Sequence, residues 1–224
     1  VKARLKERNP QMGHFADYME EYDNSPVYDH TQVTYYPLGD DQFVDMLEEL
    51  KKAEKFIFLE FFIVEEGEMW NSILDILKEK AKAGVEVRVM YDGMCVLALL
   101  PYFYPKVLQA QGIQCKMFAP IRPVFSTYYN NRDHRKILDI DGHTAFTGGI
   151  NLADEYINKK VRFGYWKDTG VRLKGEGVWN FTEMFLEMWN ALREQDVDIE
   201  KYLPVYPYKA KEQGFFALYG DSPL

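Results

Sequence analysis

The sequence has few cysteines, no long apolar run and a shortage of bases, and each deficit excludes a class of protein. Cys95 and Cys115 are its two cysteines, and no histidine stands near either, which argues against a disulfide framework or a zinc site. The longest mostly apolar stretch, residues 94–105, is too short to span a bilayer and contains two prolines. The net charge of −8 disfavours nucleic acid as a partner, because phosphate neutralisation needs bases.

The apolar fraction of 47% over 224 residues is enough for one sizeable core. Stretches rich in β-branched and aromatic residues alternate with stretches of helical periodicity, which is typical of an α/β fold. The predicted strands are residues 32–36, 55–64, 85–91, 113–118, 136–140, 144–147 and 169–173. Four helices are predicted. The first begins at Asp40 or Asp41, and the other three cover residues 70–81, 101–111 and 178–193.

Three regions are expected along the chain. Residues 1–26 are polar and weakly periodic, which predicts a linker or partial helix, and residues 27–195 form one predicted domain. Residues 196–224 hold three of the ten prolines, which predicts an irregular tail. Between residues 116 and 174 there are eleven bases against six acids. This excess is either a fluctuation on solvated faces or the sign of a cavity that attracts an anionic substrate.

Residues able to carry chemistry concentrate between positions 134 and 151. His134 and Lys136 are two apart at a predicted strand, so both side chains can point into one cavity. Gly148 and Gly149 allow backbone N–H groups to approach an anion closely. Asn151 offers side-chain donors and is also a candidate N-cap for a short helix over residues 152–156.

An imidazole, an ammonium and a glycine pair together predict phosphoryl transfer. His134 can attack phosphorus to give a covalent phosphohistidine, while Lys136 and the glycines hold the non-bridging oxygens. Asp168 precedes a predicted strand and can accept a hydrogen bond from the second ring nitrogen. Glu60 interrupts an apolar strand, which predicts either a role in the site or a pair with a buried base.

The spacing HxKxxxxD followed by GGxN resembles the HKD signature of the phospholipase D superfamily, and is carried by His134, Lys136, Asp141, Gly148, Gly149 and Asn151. The stretch NRDHRKILDIDGHTAFTGGINLADEY is similar to the first HKD motif of bacterial cardiolipin synthases, as are FIFLEFFIV and LKEKAKAGVEVRVMYDG upstream. The resemblance spans residues 32–189. It implies a phospholipase D-like mixed β-sheet flanked by helices on both faces, with the site at the ends of central strands.

The resemblance also implies an activity, which is metal- and cofactor-independent transfer of a phosphatidyl group. Two molecules of phosphatidylglycerol, an anionic phospholipid, would give cardiolipin. The catalytic set implied is His134 as nucleophile, Lys136, Asp168 as the carboxylate that orients the histidine, and Asp141 bound to neighbouring backbone or a lysine. Gly148, Gly149 and Asn151 are implied to bind the substrate phosphate.

A location at a membrane is implied by the same resemblance. The parent protein is expected at the cytoplasmic face of the bacterial membrane and in contact with the membrane surface, whereas this chain itself is expected to be soluble. Aromatic residues at 101–104 and 125–129 suit a membrane interface, although core packing is the more frequent explanation for such residues.

The sequence departs from the family pattern because it contains a single His-x-Lys, whereas family synthases carry two HKD motifs and an N-terminal anchor. We therefore expect either the first half of a cardiolipin synthase or a chain that pairs with a second copy of itself. One alternative is a homodimeric phosphodiesterase, either a phospholipase D or a nuclease, and the acidic charge disfavours the nuclease. A catalytically silent binding domain is the other alternative, which the presence of His134, Lys136 and Asn151 disfavours. The acceptor, whether phosphatidylglycerol, phosphatidylethanolamine or water, stays open.

Overall fold

The computed structural model describes residues 1–23, 25–120, 132–191, 198–204, 210–211 and 214–220. Within them the helices are α1 (Lys2–Arg8), α2 (Pro10–Asp23), α3 (Gly39–Leu50), α4 (Glu68–Lys82), α5 (Tyr104–Gln109) and α6 (Trp179–Ala191). The strands are β1 (Thr31–Tyr36), β2 (Phe56–Phe61), β3 (Glu86–Asp92), β4 (Gln114–Phe118), β5 (Lys136–Ile140), β6 (Thr144–Gly148) and β7 (Gly170–Gly175). Every predicted strand is therefore present.

These strands form one mixed sheet in the order β1-β7-β6-β5-β2-β3-β4. The neighbours β2, β3 and β4 run parallel, because a helix returns the chain between each pair. The remaining neighbours pair antiparallel. A tight turn joins β5 to β6, and its Asp141 and Gly142 take positive φ angles of 55° and 68°, which Asp and Gly tolerate best.

Helices cover both faces of the sheet, as the resemblance implies. The strand β2 is buried along its whole length, so its alternate residues face opposite layers. One layer holds α3, α4 and α5, whose apolar faces pack on Ile57 and Leu59. The other holds α6, where the ring of Phe185 stacks on Phe58 with centroids 4.6 Å apart.

The two ends of the sheet carry different residues, and we call them the upper and the lower end. The upper end is where Phe61 of β2 pairs with Lys136 and Tyr91, and where Gly148 pairs with Gly170. The lower end is the opposite one, where β5 turns back at Asp141.

The N-terminal region is more helical than the linker or partial helix that its sequence predicts. The side chain of Asn9 caps α2 by accepting from Met12 N (3.2 Å), and Pro10 occupies the first helical position. Ion pairs from Lys2 and Lys6 to Asp17, at 3.3 and 2.6 Å, join α1 to α2. These contacts explain the helices, since apolar periodicity contributes little here.

The segment 214–220 lies against the domain rather than away from it. Tyr28 and Phe216 exchange two backbone hydrogen bonds of 2.7 and 2.8 Å, and Asn180 Nδ2 of α6 donates to Leu218 O at 3.2 Å. The aromatic ring of Tyr219 contacts that of Phe15 in α2. The predicted irregular tail is thus held in place at its described residues by backbone and side-chain contacts.

Across the described ranges, no helix combines the length and the apolarity that a membrane crossing requires.

Candidate active site

His134 and Lys136 lie together at the upper end of the sheet. His134 is exposed and lies two residues before Lys136, which is the first residue of β5. The Lys136 ammonium donates to the backbone oxygen of His134 at 2.6 Å. Phe62, just after β2, places its ring 4.9 Å from the imidazole centroid and 5.6 Å from the Lys136 Nζ. The three side chains therefore form one compact group.

Burial and mutual charge tune both basic groups. Lys136 is 6% exposed, and its burial lowers the pKa of the ammonium to about 8, although Asp133 and Asp168 oppose the change. Partial burial, followed by the nearby charge of Lys136, lowers the pKa of His134 below its usual 6.5. At neutral pH the imidazole is thus largely uncharged, while the lysine keeps its proton. That combination suits a nucleophile beside an anion-binding cation.

The two glycines make room for the segment that precedes β7. A Cβ added at Gly149 would stand 2.0 Å from Asp168 Oδ1, and one at Gly148 would stand 2.5 Å from the oxygen of Thr169. The Gly149 N–H donates to that Thr169 oxygen at 3.1 Å. The Gly149 N–H is thus engaged within the fold, and binding of the substrate phosphate at Gly148 and Gly149 stays a prediction.

Asp168 reaches the site as predicted, but its predicted partner is not in contact. Its carboxylate accepts from Thr169 N at 2.8 Å and lies near enough to Lys136 to favour the charged ammonium. Among the residues described, no hydrogen bond joins Asp168 to His134. Orientation of the imidazole by Asp168 stays a prediction.

A cavity of about 380 Å³ opens beside these residues. One wall is polar and includes His134, Lys136, Gly148 and Gly149. The facing wall is mostly apolar and comes from α6 and the C-terminal segment, through Phe181, Met184, Leu218 and Tyr219. Such a cavity can hold an anionic group at one wall and apolar substance at the other.

Glu60 is fully buried beneath this group and pairs with a base. Its Oε1 lies 2.5 Å from Arg135 Nε, and the same nitrogen lies 3.5 Å from Asp133 Oδ1. Burial, followed by the neighbouring Asp133 carboxylate, raises the pKa of Glu60 well above its usual range, while Arg135 opposes this. Of the two predicted roles, the pair with a buried base is the one observed.

A second buried pair fixes the same loop to β3. Asp92 Oδ2 accepts from Asp133 N at 3.2 Å, and Asp92 Oδ1 lies 3.2 Å from Arg132 Nη1. The segment 132–135 is thereby tied to the ends of β2 and β3, and His134 projects from its middle. Much of the local excess of bases is consequently matched by buried acids.

Asp141 lies at the lower end, across the length of β5 from His134. Its carboxylate accepts three backbone N–H groups, from Glu54 at 2.8 Å, Lys55 at 2.7 Å and Phe56 at 2.8 Å. The binding to neighbouring backbone that the resemblance implies is therefore present. Its place in the catalytic set is corrected to a structural one, because it is remote from the cavity.

Asn151 is buried behind the site. Its Oδ1 accepts from Ile63 N at 3.0 Å, and its Nδ2 donates to the Tyr156 hydroxyl at 2.9 Å. The predicted N-cap is wrong, since the 3₁₀-helix Asp154–Ile157 begins after Ala153. The contact to Ile63 holds the residue next to Phe62. Binding of the substrate phosphate by Asn151 stays a prediction.

Sequence reasoning missed Phe62, Arg135 and Asp92 as parts of this site. Phe62 sits in an apolar run that marks it only as a core residue. Arg135 lies within the motif, but its partner Glu60 is far away along the chain. Asp92 had a usable signal, since an acid followed by Gly93 at the end of a buried parallel strand often faces a site.

Residues 46–189 match the model of the family described as cardiolipin synthase, PLD-like domain. An uncharacterized protein of Streptococcus mutans is 53% identical over 221 residues, which are 99% of this chain and 48% of that protein. The cardiolipin synthases of Alkalihalophilus pseudofirmus and Geobacillus kaustophilus are 37% and 35% identical. They align 83% and 88% of this chain with 37% and 39% of their own lengths. The chain spans less than half of each relative.

Solved structures share the fold at low identity. The phosphatidylserine synthase of Haemophilus influenzae has a TM-score of 0.57 at 16% identity, covering 90% of this chain and 44% of that one. Nuc of Salmonella typhimurium, a phospholipase D family member, has a TM-score of 0.54 at 19% identity, covering 73% and 95%. Since the family model covers well over half of the sequence, the chain belongs to the cardiolipin synthase family of phospholipase D-like domains.

Proposed function

We propose that this chain supplies the nucleophilic half of a phosphatidyltransferase that makes cardiolipin from phosphatidylglycerol. The observation that supports this best is the exposed imidazole of His134 beside the buried ammonium of Lys136, at a cavity with a polar and an apolar wall. The polar wall suits the phosphodiester of a phospholipid, and the apolar wall suits the glycerol backbone and the first methylenes of its acyl chains.

The proposed reaction has two displacements at phosphorus. A nitrogen of neutral His134 forms a bond to the phosphorus of phosphatidylglycerol, and the bond from phosphorus to the glycerol oxygen breaks. Glycerol leaves after its oxygen takes a proton from an acid. A hydroxyl of a second phosphatidylglycerol then gives up its proton and attacks the phosphorus, which releases cardiolipin and restores His134.

Lys136 has the second role in this proposal. Lys136 is part of the polar wall, and its ammonium can attract the non-bridging phosphate oxygens, on which charge grows in each transition state. The backbone hydrogen bond from Nζ to the His134 oxygen holds both residues in a fixed relation. The bound phosphate would in turn favour the charged form of the lysine.

The acid that protonates glycerol is proposed to come from a second HKD domain. The sequence carries one His-x-Lys, and the chain spans less than half of the relatives it matches. That second domain is either another part of a longer polypeptide or a second copy of this chain. Little transfer is expected from a lone monomer of the chain, and robust cardiolipin formation by such a monomer would refute the half-site proposal.

The decisive test is covalent labelling with phosphatidylglycerol radiolabelled at phosphorus. It uses this chain together with whatever second domain completes the active form. We expect rapid-quench samples at alkaline pH to contain labelled protein, and His134→Ala to abolish both the label and cardiolipin formation. His143→Ala is the matched control, because His143 is a half-buried histidine at the lower end and should leave both unchanged.

The products also decide between transfer and hydrolysis. Labelled cardiolipin supports the transferase, whereas phosphatidic acid alone would show that water is the acceptor and that the protein is a phospholipase D. Wild-type turnover or wild-type labelling in the His134→Ala variant would rule out this nucleophile.

A further inference from the structure

The loop between the 3₁₀-helix Asp154–Ile157 and β7 exposes large apolar side chains. Val161 is 81% exposed, Phe163 78% and Tyr165 70%, which are among the highest values for large apolar residues in the described chain. They alternate along the loop with Arg162 and Gly164. A contiguous exposed patch of this kind usually marks an interaction surface.

The loop is held in its shape from within, so these side chains project from a fixed base. Asn158, in the left-handed conformation at φ +56°, accepts from Trp166 N at 2.6 Å and donates to Trp166 O at 3.0 Å. The indole of Trp166 packs on the ring of Tyr156, 4.7 Å away between centroids. At the middle of the loop, Arg162 Nη1 pairs with buried Glu155 at 3.0 Å.

A second exposed group lies at the same end of the sheet, in the segment after β3. Leu97, Tyr102 and Phe103 are each 60% exposed. The next residue, Tyr104, is buried and accepts a hydrogen bond from Trp70 Nε1 at 2.6 Å. The aromatic stretch 101–104, predicted either to touch lipid or to pack in the core, therefore has both exposed and packed members. The other predicted stretch, residues 125–129, lies outside the described residues.

The segment after β2 joins the two groups. Lys160 of the first loop pairs with Glu65 at 2.7 Å, and Val64 N donates to Cys95 Sγ at 3.4 Å in the segment after β3. We call the six side chains the aromatic edge, which comprises Leu97, Tyr102, Phe103, Val161, Phe163 and Tyr165. The first loop then leads within three residues from Tyr165 to Asp168, whose carboxylate lies against Gly149 of the cavity lining.

The loop that carries Val161, Phe163 and Tyr165 also contains basic residues and no acidic residue. Residues 159–167 hold Lys159, Lys160, Arg162 and Lys167. The first three pair with Glu68, Glu65 and Glu155 of neighbouring segments, yet all three remain more than half exposed. Pairs with exposed or partly exposed carboxylates are worth little, so Lys159 and Lys160 can exchange Glu68 and Glu65 for a lipid phosphate. Arg162 stays with buried Glu155 and fixes the loop.

We propose that the aromatic edge docks the protein on an anionic phospholipid bilayer, with Phe163 and Tyr165 inserted at the level of the headgroups. Aromatic rings flanked by bases match the polarity and charge of that interface. Docking there would bring the mouth of the cavity to the lipid surface. The inference deepens the proposed function, on which it rests for the identity of the lipid, but the binding itself requires no turnover.

Vesicle co-sedimentation of this chain tests the proposal. Vesicles of phosphatidylcholine with phosphatidylglycerol are compared with vesicles of phosphatidylcholine alone, for wild type, Phe163→Ser/Tyr165→Ser and Leu203→Ser. We expect at least about tenfold weaker partitioning of the double variant, since even half-burying each of the two rings is together worth about that factor. Leu203 is the matched control, because it is 55% exposed but lies next to the lower end.

A second readout keeps the aromatic edge intact and therefore does not depend on the folding of the double variant. Brominated lipids should quench the emission of Trp166, which is identified as the signal that Trp166→Phe removes. Trp70 and Trp189 are buried, Trp179 is partly buried, and the Trp166→Phe protein measures the quenching of these three together. Absence of quenching of Trp166 together with unchanged partitioning of the double variant would overturn the proposal.

Failure of docking and failure of the proposed function give different results. His134→Ala should bind vesicles as wild type does, whether or not the protein is a phosphatidyltransferase. If the double variant instead changes the molecular mass in solution and leaves vesicle binding unaltered, the aromatic edge is a contact between copies and the docking proposal is wrong.

Discussion

The upper and lower ends of β5 carry parts of one sequence motif but have opposite physical characters. At the upper end, Lys136 is a buried cation with a depressed pKa, and His134 is exposed to the cavity. At the lower end, Asp141 is buried with its carboxylate bound to three backbone N–H groups. The first arrangement leaves groups available for a substrate, and the second uses the charge within the fold.

This difference shows that membership in a motif does not define a role. The HxKxxxxD spacing extends along the whole of β5, so its first and last residues cannot meet in one site. Asp141 fixes the turn between β5 and β6 to the start of β2, and thereby sets the register of the strand that carries Lys136. Substitutions at the two ends should therefore separate activity from stability.

The largest effect is expected from Lys136→Met, once His134→Ala has shown that transfer depends on the imidazole. Loss of the ammonium should lower kcat by about 10²- to 10³-fold, because charge on the phosphate is no longer compensated. Thermal stability should be unchanged or higher, since a buried cation is replaced by an apolar side chain. Comparable losses of activity and of folded protein would contradict the proposed division between the two ends.

Asp141→Ala should have the reverse effect. Three N–H groups lose their acceptor, which should lower the free energy of unfolding by about 4 kcal/mol, or roughly 10 °C in Tm. Urea unfolding measures this, and activity per folded molecule should stay near that of wild type. A loss of kcat at full stability would return Asp141 to the catalytic set.

Asp139→Asn is the matched control for Asp141→Ala, because both acids are buried near the same end of β5. Burial raises the pKa of Asp139 to about 7, although hydrogen bonds from Thr182 and Gly142 oppose the change. At pH 6 the side chain is mostly protonated, so asparagine replaces a neutral group of similar shape. Stability at that pH should change by no more than about 1 kcal/mol.

Much of this contrast could be predicted from local patterns, and the remainder depended on distant partners. Strand periodicity and the motif placed β5 and its candidate catalytic residues, because both are properties of neighbouring positions. The partner of Glu60 could not be predicted, since Arg135 meets it only after β2 and β5 pair. The orientation of Asn151 was likewise set by Ile63, a backbone group from another segment.

The N-terminal helices show the same limit in a different form. Their sequence has little apolar periodicity, and the side chains that join them are the exposed Lys2, Lys6 and Asp17. Sequence signals for the second helix did exist in Asn9 and Pro10. A cap and a first-turn proline indicate where a helix starts, but they do not indicate what it packs against.

The pH dependence of transfer tests the proposed protonation states of His134 and Lys136 at the upper end. The proposed reaction needs His134 without its proton and Lys136 with its proton. The rate should therefore rise as His134 deprotonates below pH 6.5 and fall as pH rises through about 8. In Lys136→Met the residual activity should lose its alkaline limb, and its acidic limb should move to higher pH because a neighbouring positive charge is gone.

A rate profile without the alkaline limb in the wild type would show that the charge on Lys136 is not required. The controls are His143→Ala, whose profile should match that of wild type, and a measurement of fold by circular dichroism across the same range. If the protein unfolds at the same alkaline pH at which the rate falls, unfolding and not the charge on Lys136 explains the alkaline limb.

The smallest effect is expected from Phe62→Leu, which removes the ring that contacts both His134 and Lys136. An aromatic contact of this kind is worth about 1 kcal/mol, so kcat/KM should fall about fivefold. Because water gains access to the imidazole, the pKa of His134 should rise toward 6.5 and the acidic limb of the rate profile should shift with it. Tyr35→Leu, at an exposed aromatic residue of the edge strand β1 outside both the site and the aromatic edge, is the control. A fivefold loss with an unshifted acidic limb would make Phe62 a packing residue only. A shifted limb would show that Phe62 also lowers the pKa of His134, which is part of what distinguishes the upper end from the lower.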